Sequence, residues 1–202
     1  GAPAVVGMSS PATDQVENPA PATLAPIAER AAAPSTLPAV TAGDLTWRHA
    51  VPADAPALLA LRNGIAEADQ EPYRETIGEV EELFTAPWRD LATDSLVGVD
   101  ADGTLRAYAL VDTNPGDANT VRAFLWGGVH PTHRGRGVGR ELFAWEIARG
   151  RQLLAASGKE LPGRLLTYGE DTDPPAKARL YARFGLETRR FYSDLRRDLS
   201  AP

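Results

Sequence analysis

Residues 121–147 read VRAFLWGGVHPTHRGRGVGRELFAWEI, and this stretch decides the fold. Its first third alternates: Val121, Ala123, Leu125 and Val129 take one side, Arg122, Phe124 and Trp126 the other, as in a half-buried strand. Pro131 ends the ladder because it has no N–H and restricts the residue before it. Gly135, Gly137 and Gly139 follow at alternate positions. From Arg140 onward Leu142, Phe143, Ile147, Leu153 and Leu154 repeat as the broad apolar face of a helix. The stretch is therefore strand, glycine-arginine turn, helix.

Such a turn suits a polyphosphate. The first N–H groups of a helix have no partner within it, and the helix dipole is positive at the same end. Glycines let several N–H groups converge on one anion, and Arg134, Arg136 and Arg140 add full charges. Each charge-assisted hydrogen bond contributes roughly 1.5–3 kcal/mol. A P-loop would need Gly-Lys-Ser/Thr, and Gly139 is followed by Arg140-Glu141. A dinucleotide fingerprint would need a third glycine where Leu142 stands.

The segment Arg134-Gly135-Arg136-Gly137-Val138-Gly139 instead resembles the pyrophosphate loop of the GNAT superfamily of N-acetyltransferases, Arg/Gln-x-x-Gly-x-Gly/Ala. Downstream, Tyr181-x-x-x-Gly185-Leu186 resembles that family's Tyr-x-x-x-Gly-Phe at the end of its last helix. The resemblance covers residues 44–199. It implies an α/β GNAT fold: a mixed sheet of about six or seven strands, splayed at an acetyl-CoA wedge and flanked by helices on both faces. It also brings to mind one half of a tandem two-domain acetyltransferase, because FYSDLRRDL resembles the close of a first domain in such proteins.

The resemblance assigns acetyl-CoA as donor and co-substrate. Main-chain N–H groups around Gly135, Arg136, Gly137, Val138, Gly139 and Arg140 would hold its pyrophosphate, with Arg134 a further binding residue through its charge. Val129 would pair with the pantetheine arm and direct its N–H at the thioester carbonyl. Tyr181 would protonate the departing thiol. Asp173-Pro174 departs from the family at a point where an asparagine often contacts the donor arm.

The acceptor must be an amine that loses a proton, but VRAFLWGGV carries no acid to take it. Candidate acceptor-site residues are Glu67, Asp69, Glu71 and Tyr73 in an acidic loop, and Glu170, with Asp171 and Asp173, after a short strand. The expected activity is transfer of acetyl to a primary amine of a small molecule or peptide by direct attack in a ternary complex. A non-catalytic acyl-CoA-binding sensor or tandem half is the alternative.

The rest of the chain sets limits. Its 202 residues, 43% hydrophobic, suffice for one medium domain with a tail. A net charge of −6 argues against a nucleic-acid surface, and no apolar run is long enough for a membrane span. There are no cysteines, which is compatible with the cytoplasm, and a homodimer is the one protein partner considered. Residues 1–42 are rich in alanine and proline and read as a tail, with one or two helical turns at residues 27–33. The domain is expected at residues 43–200. Within it come a strand at 45–49, helices after Pro52 and around Val80, and a hairpin turning at Asp102-Gly103. A short strand at 165–168, a helix from Pro174 to Phe184 and a final strand pair follow. His130 and His133 lack the partners a metal site needs, the four tryptophans suit core or cleft packing, and Arg189, Arg190, Arg196 and Arg197 suit a solvated face.

Overall fold

The computed structural model describes residues 4–9 and 24–191. In chain order the elements are β1 (Ala4–Ser9), α1 (Ile27–Arg30), β2 (Thr46–Arg48), α2 (Ala55–Ala68), α3 (Ile77–Thr85), α4 (Leu91–Asp94), β3 (Ser95–Val99) and β4 (Leu105–Thr113). Then follow β5 (Val121–Val129), α5 (Val138–Ala156), β6 (Gly163–Gly169), α6 (Pro175–Arg183) and β7 (Glu187–Phe191). The second strand expected near the C-terminus lies outside the described residues.

All seven strands join one sheet in the order β2-β3-β4-β5-β6-β1-β7. Among the described strands only β5 and β6 run parallel. Their ladder holds from Val121↔Gly163 to Phe124↔Leu166 and then stops, so residues 125–129 and 167–169 diverge. β6 does not follow β5, because β1 pairs with it antiparallel from Arg164 to Gly169. The splay expected of the fold is thus present at the middle of the sheet.

Each face of the sheet has its own core. Val121, Ala123 and Leu125 of β5 are buried with Leu142, Phe143 and Ile147 of α5. On the other face Leu58, Leu61 and Ile65 of α2 and Val80 of α3 pack with Val97 and Leu110. Thr76 caps α3 reciprocally: its hydroxyl accepts from Glu79 N at 3.4 Å while Glu79 accepts from Thr76 N at 2.7 Å. α5 lies close to the sheet at Gly150, where an added Cβ would stand 2.8 Å from Leu165 Cδ2 and 3.1 Å from Leu125 Cδ2.

The tail expected over residues 1–42 differs in its described parts. Val5-Val6 lie in a strand that satisfies the otherwise open edges of β6 and β7. Gly7 sits where a Cβ would be 2.7 Å from Leu166 Cδ2. The short helix expected near Ile27 forms, and Ile27 is 2% exposed against Leu154 and Gly163. Residues 31–42 then run along α5: Arg151 donates to Ala31 O, Gln152 to Pro34 O, and the Thr41 and Ala42 amides both donate to Glu141 at 2.8 Å. Composition predicts too little apolar surface for independent folding. It does not reveal that the segment can attach to a surface already formed.

Candidate active site

The glycine-arginine turn begins where β5 ends. Residues 131–133 make one tight helical turn, Gly135 and Gly137 take φ of +75° and +84°, and Gly137 is the N-cap of α5. An L side chain is strained at such angles. Among the described residues, no acceptor is found for the main-chain N–H groups of Gly135, Arg136, Gly137, Val138, Gly139 and Arg140. Gly135, Arg136 and Arg140 are exposed, and a Cβ on Gly135 would meet nothing within 4 Å. Unpaired amides at a helix start, with space above them, fit a diphosphate.

Arg134 departs from the expected role. Its guanidinium forms a bidentate pair with Asp69, at 2.7 and 2.8 Å, and its Nε donates to Val129 O at 3.1 Å. The side-chain charge is therefore committed inside the fold, and it ties the loop after α2 to the end of β5. Arg136 and Arg140 remain exposed at the turn.

A cavity of about 620 Å³ opens at the splay and reaches Gly135 and Gly139 at one end. His130 N donates to Arg106 O at 2.7 Å, which fixes the alternation of the antiparallel β4–β5 ladder. By that alternation the N–H groups of Gly127 and Val129 face away from β4, toward the opening. Val129 lines the cavity, with its N–H on the open edge and its carbonyl accepting from Arg134.

Tyr181, on α6, also lines the cavity and is 8% exposed. Its ring packs on Phe143 at 5.0 Å and its hydroxyl bonds with Thr167 on β6. Burial pushes the phenol up to about 12, while the nearby Lys177 ammonium pulls the other way. Lys177, one turn earlier, pairs with Asp173 at 2.9 Å. Burial works against its charge, yet Tyr181, Asp173 and Glu71 outweigh that and hold it above the usual lysine range.

The acidic candidates divide. Asp69, Glu71, Tyr73 and Glu170 line the cavity, whereas Glu67 is exposed and does not. Asp69 is neutralised by Arg134, and Asp173 is shared between Lys177 and the amide of Glu170. Burial first, then neighbouring acids, raise Glu71 and Glu170. Six carboxylates and four cations line the cavity, so its net charge favours a cationic guest.

Apart from Trp126, for which core or cleft packing is expected, several lining residues have no counterpart in the sequence reading. Arg62 pairs with Glu75 and lies 5.0 Å over the ring of Tyr108. Trp126 and Tyr168, from opposite sides of the splay, stack at 5.1 Å. Glu146 of α5, 3% exposed, also reaches the cavity. Its signal was its spacing: it follows Leu142 by four residues and Phe143 by three, on the apolar face of the helix. His130 and His133 both bond to Thr132. Trp145 is buried, but Trp88 is 48% exposed, contrary to the packing expected of it. Arg189 and Arg190 are exposed, and Arg196 and Arg197 lie outside the described residues.

Comparison with known proteins agrees with this geometry. The model of the acetyltransferase (GNAT) family matches residues 60–185, and the chain belongs to that family. A GCN5-related N-acetyltransferase from Sphaerobacter thermophilus is 27% identical, with a TM-score of 0.52 over 74% of this chain and 44% of that one. The chain thus spans less than half the length of that relative. A predicted acetyltransferase from Clostridium acetobutylicum, solved with acetyl-CoA, has a TM-score of 0.56 at 14% identity over 75% of this chain and 96% of its own. The ribosomal-protein-alanine N-acetyltransferase from Brucella melitensis has a TM-score of 0.50 at 24% identity, covering 71% and 85%. These last two show the shared fold. No curated protein matches the sequence. No described helix is long and apolar enough to cross a membrane.

Proposed function

We propose that the protein transfers the acetyl group of acetyl-CoA to a primary amine of a small molecule or peptide, by direct attack with both substrates bound. The observation that carries this reading is the coincidence at one cavity of a strand splay and a run of unpaired amides at residues 135–140. Those amides would hold the diphosphate. The exposed edge of β5 at Gly127 and Val129 would pair with the pantetheine arm, and the Val129 N–H would polarise the thioester carbonyl. Tyr181, protonated throughout the neutral range, would donate to the departing thiol. The acidic lining around Glu71 and Glu170 favours an acceptor that arrives as an ammonium ion. The reading puts the protein in the cytoplasm with its donor, and a homodimer is compatible with it.

Calorimetry with acetyl-CoA, then a primary-amine panel followed by release of free CoA, tests the proposal. A second reading, a non-catalytic acyl-CoA-binding half of a longer protein, draws on the chain spanning only 44% of the Sphaerobacter protein. Tight acetyl-CoA binding without acetylation of any amine would favour it.

A further inference from the structure

Glu146 stands apart from every other acid at the cavity. It is 3% exposed, and among the described residues its Oε1 has no hydrogen-bond partner. A buried carboxylate without a partner is costly, so its retention calls for a reason. The space it fills is supplied by the strand above it. A Cβ built on Gly127 would overlap Oε1 and stand 3.1 Å from Glu146 Cδ. Gly127 thus lacks a side chain where the carboxyl packs against β5, and Glu146 and Val129 line the same cavity. The central strand has no acid of its own, and α5 brings one against it at Gly127.

We propose that Glu146 is the catalytic base, its carboxylate taking the proton that the acceptor ammonium must lose before attack. This rests on the acetyl-transfer reading above. The balance is as follows. Glu146 removes one proton from R–NH3+, and the nitrogen lone pair forms the C–N bond while the C–S bond breaks. Sulfur leaves with its electron pair and takes the Tyr181 proton. Tyr181 recovers a proton from the acylated nitrogen. The products are the amide, free CoA and one proton on Glu146, which passes to water.

The surroundings favour proton uptake by this carboxyl. Burial pushes the Glu146 carboxyl well above the ordinary glutamate range, and Lys177 opposes this. The other titratable groups facing it are Tyr181 on α6 and Tyr108 on β4, with Arg62 and Glu75 behind Tyr108. An incoming ammonium supplies positive charge near the carboxylate and favours the ionised form on arrival.

Glu146→Gln in the full chain tests the assignment by three measurements. In a carboxyl 13C titration of the free protein, one glutamate should titrate well above the rest and be missing from the variant. Acetyl-CoA affinity by calorimetry should change by less than about threefold. CoA release from acetyl-CoA with spermidine, lysine amide, an alanyl peptide or water alone should fall roughly 100-fold at neutral pH. KM should stay nearly constant, the acidic limb of the rate profile should disappear, and the deficit should narrow where the amine arrives unprotonated. Gly127→Ala, which displaces the carboxyl without removing it, should produce the same loss and supports the assignment if Glu146→Gln fails to fold. An unchanged rate and pH profile in Glu146→Gln overturns the assignment. So does wild-type protein that binds acetyl-CoA and releases CoA to neither amine nor water, an outcome that leaves donor binding standing. Failure to bind acetyl-CoA overturns the functional reading itself.

Discussion

Tyr181→Phe removes one oxygen atom from the site and leaves the ring on Phe143 in place. Two effects of different size should follow. The Thr167 hydroxyl loses its partner, which costs about 1 kcal/mol of stability and lowers Tm by roughly 2–4 °C for a chain of this size. The chemical step loses its proton donor, and removal of a general acid typically lowers the rate about 10²-fold or more, equivalent to roughly 2.7 kcal/mol. Thermal denaturation reads the first effect, and kcat for CoA release the second. Acetyl-CoA affinity should hold, because neither the residue 135–140 amides nor the β5 edge is altered. The native phenol stays protonated to about 12, so wild-type kcat should show no alkaline decline from this group below pH 10. The raised value has a stability consequence too. Tyr181 favours the folded state up to the unfolded tyrosine value of roughly 10, and that contribution is lost as pH climbs toward 12. A folded Tyr181→Phe protein with wild-type kcat at pH 7 would refute the reasoning.

Other perturbations probe separate parts of the account. Gly137→Ala meets no atom closer than 3.8 Å, so its cost is the left-handed backbone alone, about 1–2 kcal/mol; melting should register it, and calorimetry should show weaker acetyl-CoA binding. Asp69→Asn breaks the bidentate pair that ties Arg134 to the end of β5 and should cost about 1–3 kcal/mol in chemical denaturation. Glu146→Gln should show a pH-dependent stability difference. The folded carboxyl is raised above its unfolded value, so its favourable contribution is complete below roughly pH 4.3 and is lost as pH rises through the folded value. The variant should therefore gain stability relative to wild type as pH rises from roughly 4 through the folded value. Gly150→Ala should destabilise by about 1–3 kcal/mol despite better helix propensity, because the new methyl overlaps Leu165.

Much of this architecture is legible in the sequence because backbone chemistry constrains it. Gly135 and Gly137 mark left-handed positions that few other residues tolerate, and Val121, Ala123 and Leu125 alternate as a strand over a buried helix must. The cavity walls are less legible. Asp69 and Arg134, 65 positions apart, pair only because the loop after α2 folds against the end of β5. Glu146 lies between Trp145 and Ile147 in a helix that also carries Glu141 and Arg149; its spacing puts it on the apolar face, but sequence alone does not show that it reaches a cavity. Residues 24–42 read as a tail by composition because their partner surface, α5, comes about a hundred positions later or more. Function concentrates where such long-range packing sets charge and burial.

The central claim is that the amides of residues 135–140 grip the diphosphate of coenzyme A. Amide-resolved 15N NMR of the protein titrated with acetyl-CoA tests it most directly. The account predicts the largest shifts at Gly135 through Arg140, with smaller ones at Gly127 and Val129 along the edge of β5. Saturable binding that leaves those six amides unmoved, or no binding at all, would contradict it.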